Sequence, residues 1–152
     1  MANARGSGHE FLEPSEYEAW NAMLVVTQAV LRELDAALRA DNGLSVTEFD
    51  VLITLWNAPR RRLGMTELAS RVLLSPSGLT HLVTRMERDG LVAREGDPAD
   101  GRKFRTVLTR AGQERLRAAR RTHNAVLRSV LLGRLDPGDR QALAAIGRRL
   151  SS

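Results

Sequence analysis

The sequence predicts a mainly α chain with one small β-hairpin, an α+β arrangement. Three observations carry that expectation. Apolar residues recur at helical 3-4 spacing through most of the chain. Two short helical stretches meet at a tight Ser75-Pro76 turn, and two β-capable runs flank a segment that holds one proline and two glycines.

Residues 1–14 (MANARGSGHEFLEP) are small, polar and without period, and read as a flexible N-terminal arm. Pro14, followed by Ser15, Glu16 and Glu18, starts a helix with acids near the positive end of its dipole. The apolar positions then run Trp20, Met23, Leu24, Thr27, Val30, Leu31, Leu34 and Leu38, which predicts a long amphipathic helix ending before Asn42-Gly43. Ser45-Val-Thr-Glu48 matches a capping box and opens a second helix through Phe49, Leu52, Ile53 and Trp56, closed by Ala58-Pro59. Residues 60–62 are a short basic connector. Residues 65–72 form a short third helix with Thr66 as its N-cap.

At the tight turn Ser75 caps and Pro76 takes the first position of a fourth helix, with Leu79, Leu82, Val83 and Met86 on one face and Asp89-Gly90 at its end. Strands are expected over residues 91–95 and 104–108, joined by a long, mobile, charged tip. Thr109 caps a fifth helix through Leu116, Ala119, His123, Val126, Leu127 and Val130. Asp136-Pro137 starts a last one carrying Leu143, Ile146 and Leu150.

With 152 residues the chain has the length of one domain, and 43% hydrophobic with 27% charged residues is the composition of a soluble globular protein. No apolar run approaches the roughly 18 residues of a membrane span and residues 1–10 lack a secretory signal, so the expected address is the cytoplasm with no membrane partner. The absence of cysteine removes disulfides, thiolate zinc sites and thiol redox sensing. His9, His81 and His123 are too dispersed for a metal site, and no cofactor is expected. The net charge of +5 is unevenly spread. Residues 1–59 carry 3 basic and 9 acidic side chains, residues 60–105 carry 10 and 6, and residues 106–152 carry 10 and 3. A basic middle suits phosphates, and acidic and basic ends suit each other; solvated helix faces without a partner are the bland alternative.

The order helix, helix, short helix, tight turn, helix, hairpin is that of a winged helix-turn-helix. Its fourth helix would enter the major groove of double-stranded DNA with Ser75, Ser77, Thr80, His81, Thr84 and Arg85 on the exposed side. Arg102 and Lys103 would stand at the wing beside the minor groove. An ordinary amphipathic core helix with a polar back is the competing reading of the fourth helix. Against it stand the lack of any acid between Ser75 and Met86 and the basic loop that follows at hairpin spacing. An enzyme finds no support, since there is no cysteine nucleophile, no G-x-S-x-G elbow, no phosphate-cradling glycine loop and no H-E-x-x-H. A winged-helix module for protein contacts, without a DNA role, is the alternative function.

The stretches LSVTEFDVLITLWNAP, MTELASRVLLSPSGLTHLVTRMERDGLVARE and DPADGRKFRTVLTRAG resemble the MarR family of bacterial transcriptional regulators. The wing matches that family's D-x-x-D-x-R, followed by a strand ending Leu-Thr and then Gly, although Gly101 stands where many members carry a second arginine. The resemblance implies a winged helix-turn-helix over residues 44–109 and a helical dimerisation region formed by residues 15–42 and 110–152. It also implies a homodimer on a pseudo-palindromic operator, acting as a repressor, and a small anionic aromatic effector that releases DNA. Trp20, Asp50 and Arg94 resemble positions that hold the ligand in the urate-responsive branch, with Leu82 where a further ligand-binding arginine would align. Each has a plainer reading: Trp20 as core, Asp50 paired with an arginine or facing solvent, Arg94 serving the hairpin or a phosphate.

Overall fold

In the computed structural model, which describes residues 12–72, 74–97 and 100–151, nearly every helix boundary is a capping event. The expected arm over residues 1–14 lies mostly outside the described residues. Helix α1 spans Pro14–Asn42, entered through a capping box between Glu13 and Glu16 and left through Gly43, whose φ of 63° is the left-handed turn that glycine adopts without a steric penalty. Helix α2 (Val46–Asn57) starts at the expected Ser45/Glu48 box and ends at Ala58. A 3-10 turn over Pro59–Arg61 leads to strand β1 (Arg62–Gly64) and then to helix α3 (Met65–Arg71).

Helix α4 (Pro76–Arg88) begins at Ser75 and its C-cap is Asp89. Strands β2 (Val92–Asp97) and β3 (Asp100–Leu108) precede helix α5 (Arg110–Val130), capped by Thr109. Helix α6 (Pro137–Leu150) opens on a reciprocal Asp136/Asp139 box.

Three expectations change. The connector at residues 60–62 gives a third strand, because Arg62, Leu63 and Gly64 pair antiparallel with Val107, Thr106 and Arg105 to make a sheet of order β1-β3-β2. Helix α3 starts at Met65 as expected, but its N-cap is Gly64 rather than Thr66, with no side-chain cap bond. The wing is longer in ladder and shorter in loop, since pairing continues through Gly96 with Phe104 and Asp97 with Asp100 across an irregularity at Gly96/Asp97. That pairing satisfies backbone groups which a long mobile tip would have left to water.

One hydrophobic core joins the elements. Leu52 and Leu55 of α2, Leu68 of α3, and Leu79, Val83 and Met86 of α4 are fully enclosed, and Leu38 of α1 with Leu116 and Ala119 of α5 complete the cluster. The core of the winged unit is therefore closed by side chains from the two helices that flank it. Buried Thr106 donates to Met65 Sδ at 3.2 Å, and the His123 ring stacks on Phe49 with centroids 4.6 Å apart. Gly112 admits no side chain, because a Cβ there would stand 2.1 Å from the Leu91 carbonyl oxygen where α5 departs from the sheet.

The outer helices are differently placed. Tyr17, Trp20, Met23, Val26 and Leu31 of α1 and Leu143, Ile146 and Leu150 of α6 remain exposed, and α6 has no buried residue at all. Arg140, donating to the Leu132 carbonyl at 2.7 and 3.1 Å, ties the start of α6 to the turn before it. Among the described residues no helix is long and apolar enough to cross a membrane.

Candidate nucleic-acid interface

α4 presents one polar row because its other side is consumed by the core. Ser75 Oγ accepts from the Gly78 amide at 3.2 Å and closes the first turn, and Pro76 at its start needs no hydrogen-bond partner. Leu79, Leu82, Val83 and Met86 are buried, which leaves Ser75, Ser77, Thr80, His81, Thr84 and Arg85 exposed. The threonines are preset: Thr80 Oγ1 donates to the Pro76 carbonyl at 2.9 Å and Thr84 Oγ1 to the Thr80 carbonyl at 2.8 Å. With those protons spent on the helix, a threonine offers outward only lone pairs and a methyl, a surface suited to exocyclic amines and thymine methyls.

The row is flanked on both sides by fixed arginines. Arg94 of β2 donates to Thr84 Oγ1 at 2.7 Å and pairs with Glu87 at 3.4 Å, and its amide donates to Glu87 Oε1 at 3.2 Å. It thus locks the start of the wing to the reading helix. Arg85, on the opposite flank, reaches the carboxylate of Glu48 with Nε and Nη2, each at 3.0 Å. The other oxygen of Glu48 accepts from the Ser45 amide at 2.7 Å and the Ser45 hydroxyl at 2.9 Å. One buried carboxylate therefore both caps α2 and anchors α4.

A second carboxylate does the same for α1. Asp35 accepts from Arg39 at 2.6 Å and from the Val46 amide at 2.9 Å, and these bonds, the arginine's first, hold its pKa below the usual carboxylate value. Asp35, Arg39, Ser45, His81 and Arg85 line a cavity of about 300 Å³ between α1 and α4.

On the wing, Lys103 is exposed and pairs with Asp100 at 3.4 Å. Arg102 belongs to β3, and its side chain lies outside the described residues. A hollow of about 810 Å³ lies between wing and reading helix, lined by Thr80, Glu87, Arg94, Lys103 and Phe104 among others. Phe104, 54% exposed, went unnoticed in the sequence, where it reads as an ordinary strand residue.

The three ligand candidates sit on separate elements. Trp20 is half exposed on α1, outside the hydrophobic core. Asp50 is partly buried on α2, and desolvation raises its pKa. Arg94 is committed to Thr84 and Glu87, and neither Trp20 nor Asp50 lines the hollow that it opens onto.

A family model for the MarR family matches residues 44–104, the segment that builds α2 to the wing. The fold superimposes on Sco3205, a MarR family transcriptional regulator from Streptomyces coelicolor solved in complex with DNA. The TM-score is 0.88 at 32% identity, covering 96% of this chain and 91% of that one. The chain belongs to the MarR family. AbsC, another MarR family regulator from Streptomyces coelicolor, superimposes with a TM-score of 0.82 at 32% identity, over 93% of this chain and 98% of that one. Among curated relatives, the HTH-type transcriptional repressor YetL of Bacillus subtilis is 39% identical over 77 residues, which span 51% of this chain and 46% of YetL. YkoM, an HTH-type transcriptional regulator of the same organism, is 32% identical over 108 residues, spanning 70% of this chain and 69% of its own. This MarR-family chain is thus a transcriptional regulator of a non-enzymatic family.

Proposed function

We propose that this regulator is a homodimeric, sequence-specific DNA-binding repressor that acts in the cytoplasm and is released from a pseudo-palindromic operator by a small anionic aromatic molecule. The observation that carries the DNA half is the acid-free exposed row of Ser75, Ser77, Thr80 and His81 on a helix whose apolar side is buried, with Lys103 of the wing across one hollow. Thr80 and His81 face the base edges, Thr84 joins them through its methyl, Ser75 and Ser77 meet phosphate at the helix N-terminus, and Arg102 and Lys103 serve the minor groove. Arg85 we assign to the sugar–phosphate flank of the groove, since Glu48 already holds it.

Dimerisation rests on the apolar residues left exposed on α1 and α6 and on the acidic first third facing a basic last third. A second copy would bury both stripes, and two symmetric heads would read half-sites about 10 bp apart. For the effector, Arg94 is the pivot. An anion that draws its guanidinium away from Thr84 and Glu87 alters the reading row directly; Trp20 and Asp50, which do not line the hollow beside Arg94, would reach the same molecule only after the elements shift. The ligand acts only by binding the DNA-free arrangement more tightly.

The test is equilibrium binding to duplexes selected by the protein from a random library, at several salt concentrations. Affinity falls steeply with salt and Arg102→Ala weakens it, because neutralised phosphates release counterions. Salt-independent association, or none with any duplex, refutes the DNA reading and favours a protein-contact module. A panel of aromatic acids, followed by Trp20 fluorescence and by release of DNA, tests the effector; a panel that moves neither signal refutes that part.

A further inference from the structure

Three consecutive arginines, Arg60, Arg61 and Arg62, follow α2, and the backbone sends them in different directions. Arg60 and Arg61 both adopt the left-handed conformation, with φ of 54° and 56°, a region that non-glycine residues enter only where surrounding structure holds them. The consequence is a sorting of side chains. Arg61 turns inward, where its guanidinium lies 4.0 Å above the Trp56 ring and donates to Gln113 of α5. Arg60 and Arg62 stay outside and, with Arg71 of α3 and Arg105 of β3, surround a hollow of about 470 Å³ that has one carboxylate, Glu67, in its lining.

Four arginines from four elements, with Glu67 the one acid in the lining and Glu95 beside Arg62, make a phosphate-sized anion the fitting occupant, because the planar guanidinium fork matches tetrahedral oxyanions. Arg62 holds the exposed carboxylate of Glu95 at 3.3 Å and Arg71 that of Glu67 at 2.6 Å, and Arg105 is engaged as well. Exposed pairs of this kind are weak and exchange readily for a phosphate. Arg60 is exposed and has no acidic partner among the described residues. Position supplies the source of the anion: this hollow shares Gly64 and Glu67 with the larger one between the wing and α4, so it continues that surface beyond the wing.

Resting on the DNA-binding reading above, we propose that the Arg60–Arg62–Arg71–Arg105 hollow holds backbone phosphates of duplex flanking the half-site, outside the bases that α4 and the wing read. The operator footprint is accordingly longer than its specific sequence.

The experiment compares wild type, R60G and R60K on the selected duplex, once with a full turn of flanking DNA on each side and once trimmed to the half-sites. R60G removes the charge while glycine accepts the left-handed turn without strain. On the long duplex R60G loses about three- to tenfold in affinity, and its salt slope falls by about 0.9 for each phosphate no longer neutralised. R60K stays near wild type, and on the trimmed duplex the three proteins bind alike. Wild-type affinity for R60G on the long duplex, or an equal loss on both lengths, overturns the proposal. Sodium tripolyphosphate, added without DNA, distinguishes a free polyanion: if it raises the melting temperature of wild type but not of R60G at submillimolar concentration, the duplex is not the source. Failure of the wild type to bind any duplex is a separate result, which sinks the DNA-binding reading itself; the flank is judged from the ratio of variant to wild type.

Discussion

Removing the Glu48 carboxylate should loosen the regulator at two places at once. Its side chain is 9% exposed and its two oxygens are divided: one accepts from the Ser45 amide and hydroxyl, the other from Nε and Nη2 of Arg85. Loss of a cap costs about 1 kcal/mol. A hydrogen bond to a charged group contributes about 1.5–3 kcal/mol when sheltered, and since the Arg85 side chain is 50% exposed, water replaces part of it, leaving about 1 kcal/mol. Glu48→Ala is therefore expected to cost about 2 kcal/mol, a fall of roughly 4–8 °C in melting temperature for a chain of this size.

The assay is thermal unfolding by circular dichroism at matched protein concentration, because the proposed dimerisation would make the midpoint concentration-dependent. Ser45→Ala removes the other half of the box, the hydroxyl that accepts from the Glu48 amide, and leaves the Arg85 contact in place, so it should cost about 1 kcal/mol without changing the Glu48–Arg85 coupling. A double-mutant cycle of Glu48→Ala with Arg85→Ala should return a coupling of about 1 kcal/mol. A Glu48→Ala variant within about 0.5 kcal/mol of wild type, or a coupling indistinguishable from zero, refutes the view that one carboxylate ties α2 to α4.

Gly112→Ala should destabilise by about 3 kcal/mol, since its Cβ would meet the Leu91 carbonyl at 2.1 Å; an unchanged urea midpoint contradicts that close approach. Ile146→Glu, placed in the exposed stripe of α6, should convert a dimer to monomer in sedimentation velocity; a variant that still sediments as dimer puts the interface elsewhere. For Asp50 the folded-state pKa is raised by desolvation, so folding favours the protonated form below the ordinary carboxylate value, and that advantage is lost as pH rises through the folded value. Asp50→Asn should therefore raise the melting temperature at pH 7 and lose that gain as pH falls below about 4; a gain that is the same at both pH values rules out the buried carboxylate as its cause.

What the sequence reveals and what it hides divide along the range of the interactions. Ser45 with Glu48, Ser75 with Pro76, Thr109, and Asp136 with Pro137 act on backbone amides within one helical turn, so each cap was legible from neighbouring letters and each reappears in the fold. Strand β1 was not legible, because Arg62-Leu63-Gly64 has no alternation of its own and exists only through pairing with β3. The wing ladder past Gly96 was missed for the same reason: glycine and aspartate have little intrinsic strand preference, and the partner strand holds them extended.

The same range limit governs the site. Ser77, Thr80, His81 and Thr84 were legible as one exposed face because helical period alone assigns them to it, and Ser75 was legible as the cap before them. That Arg85 and Arg94 are bound to Glu48, Glu87 and Thr84 could not be read, since in each case the partner comes from another element. Specificity follows the same division. An arginine free in solution reads guanine strongly, whereas Arg85 and Arg94 must first give up a carboxylate, so on the proposed DNA-binding reading base discrimination would rest on the neutral side chains between them. Replacing Thr80 should therefore change which duplex is chosen, and neutralising Glu48 or Glu87 should change how tightly every duplex is held.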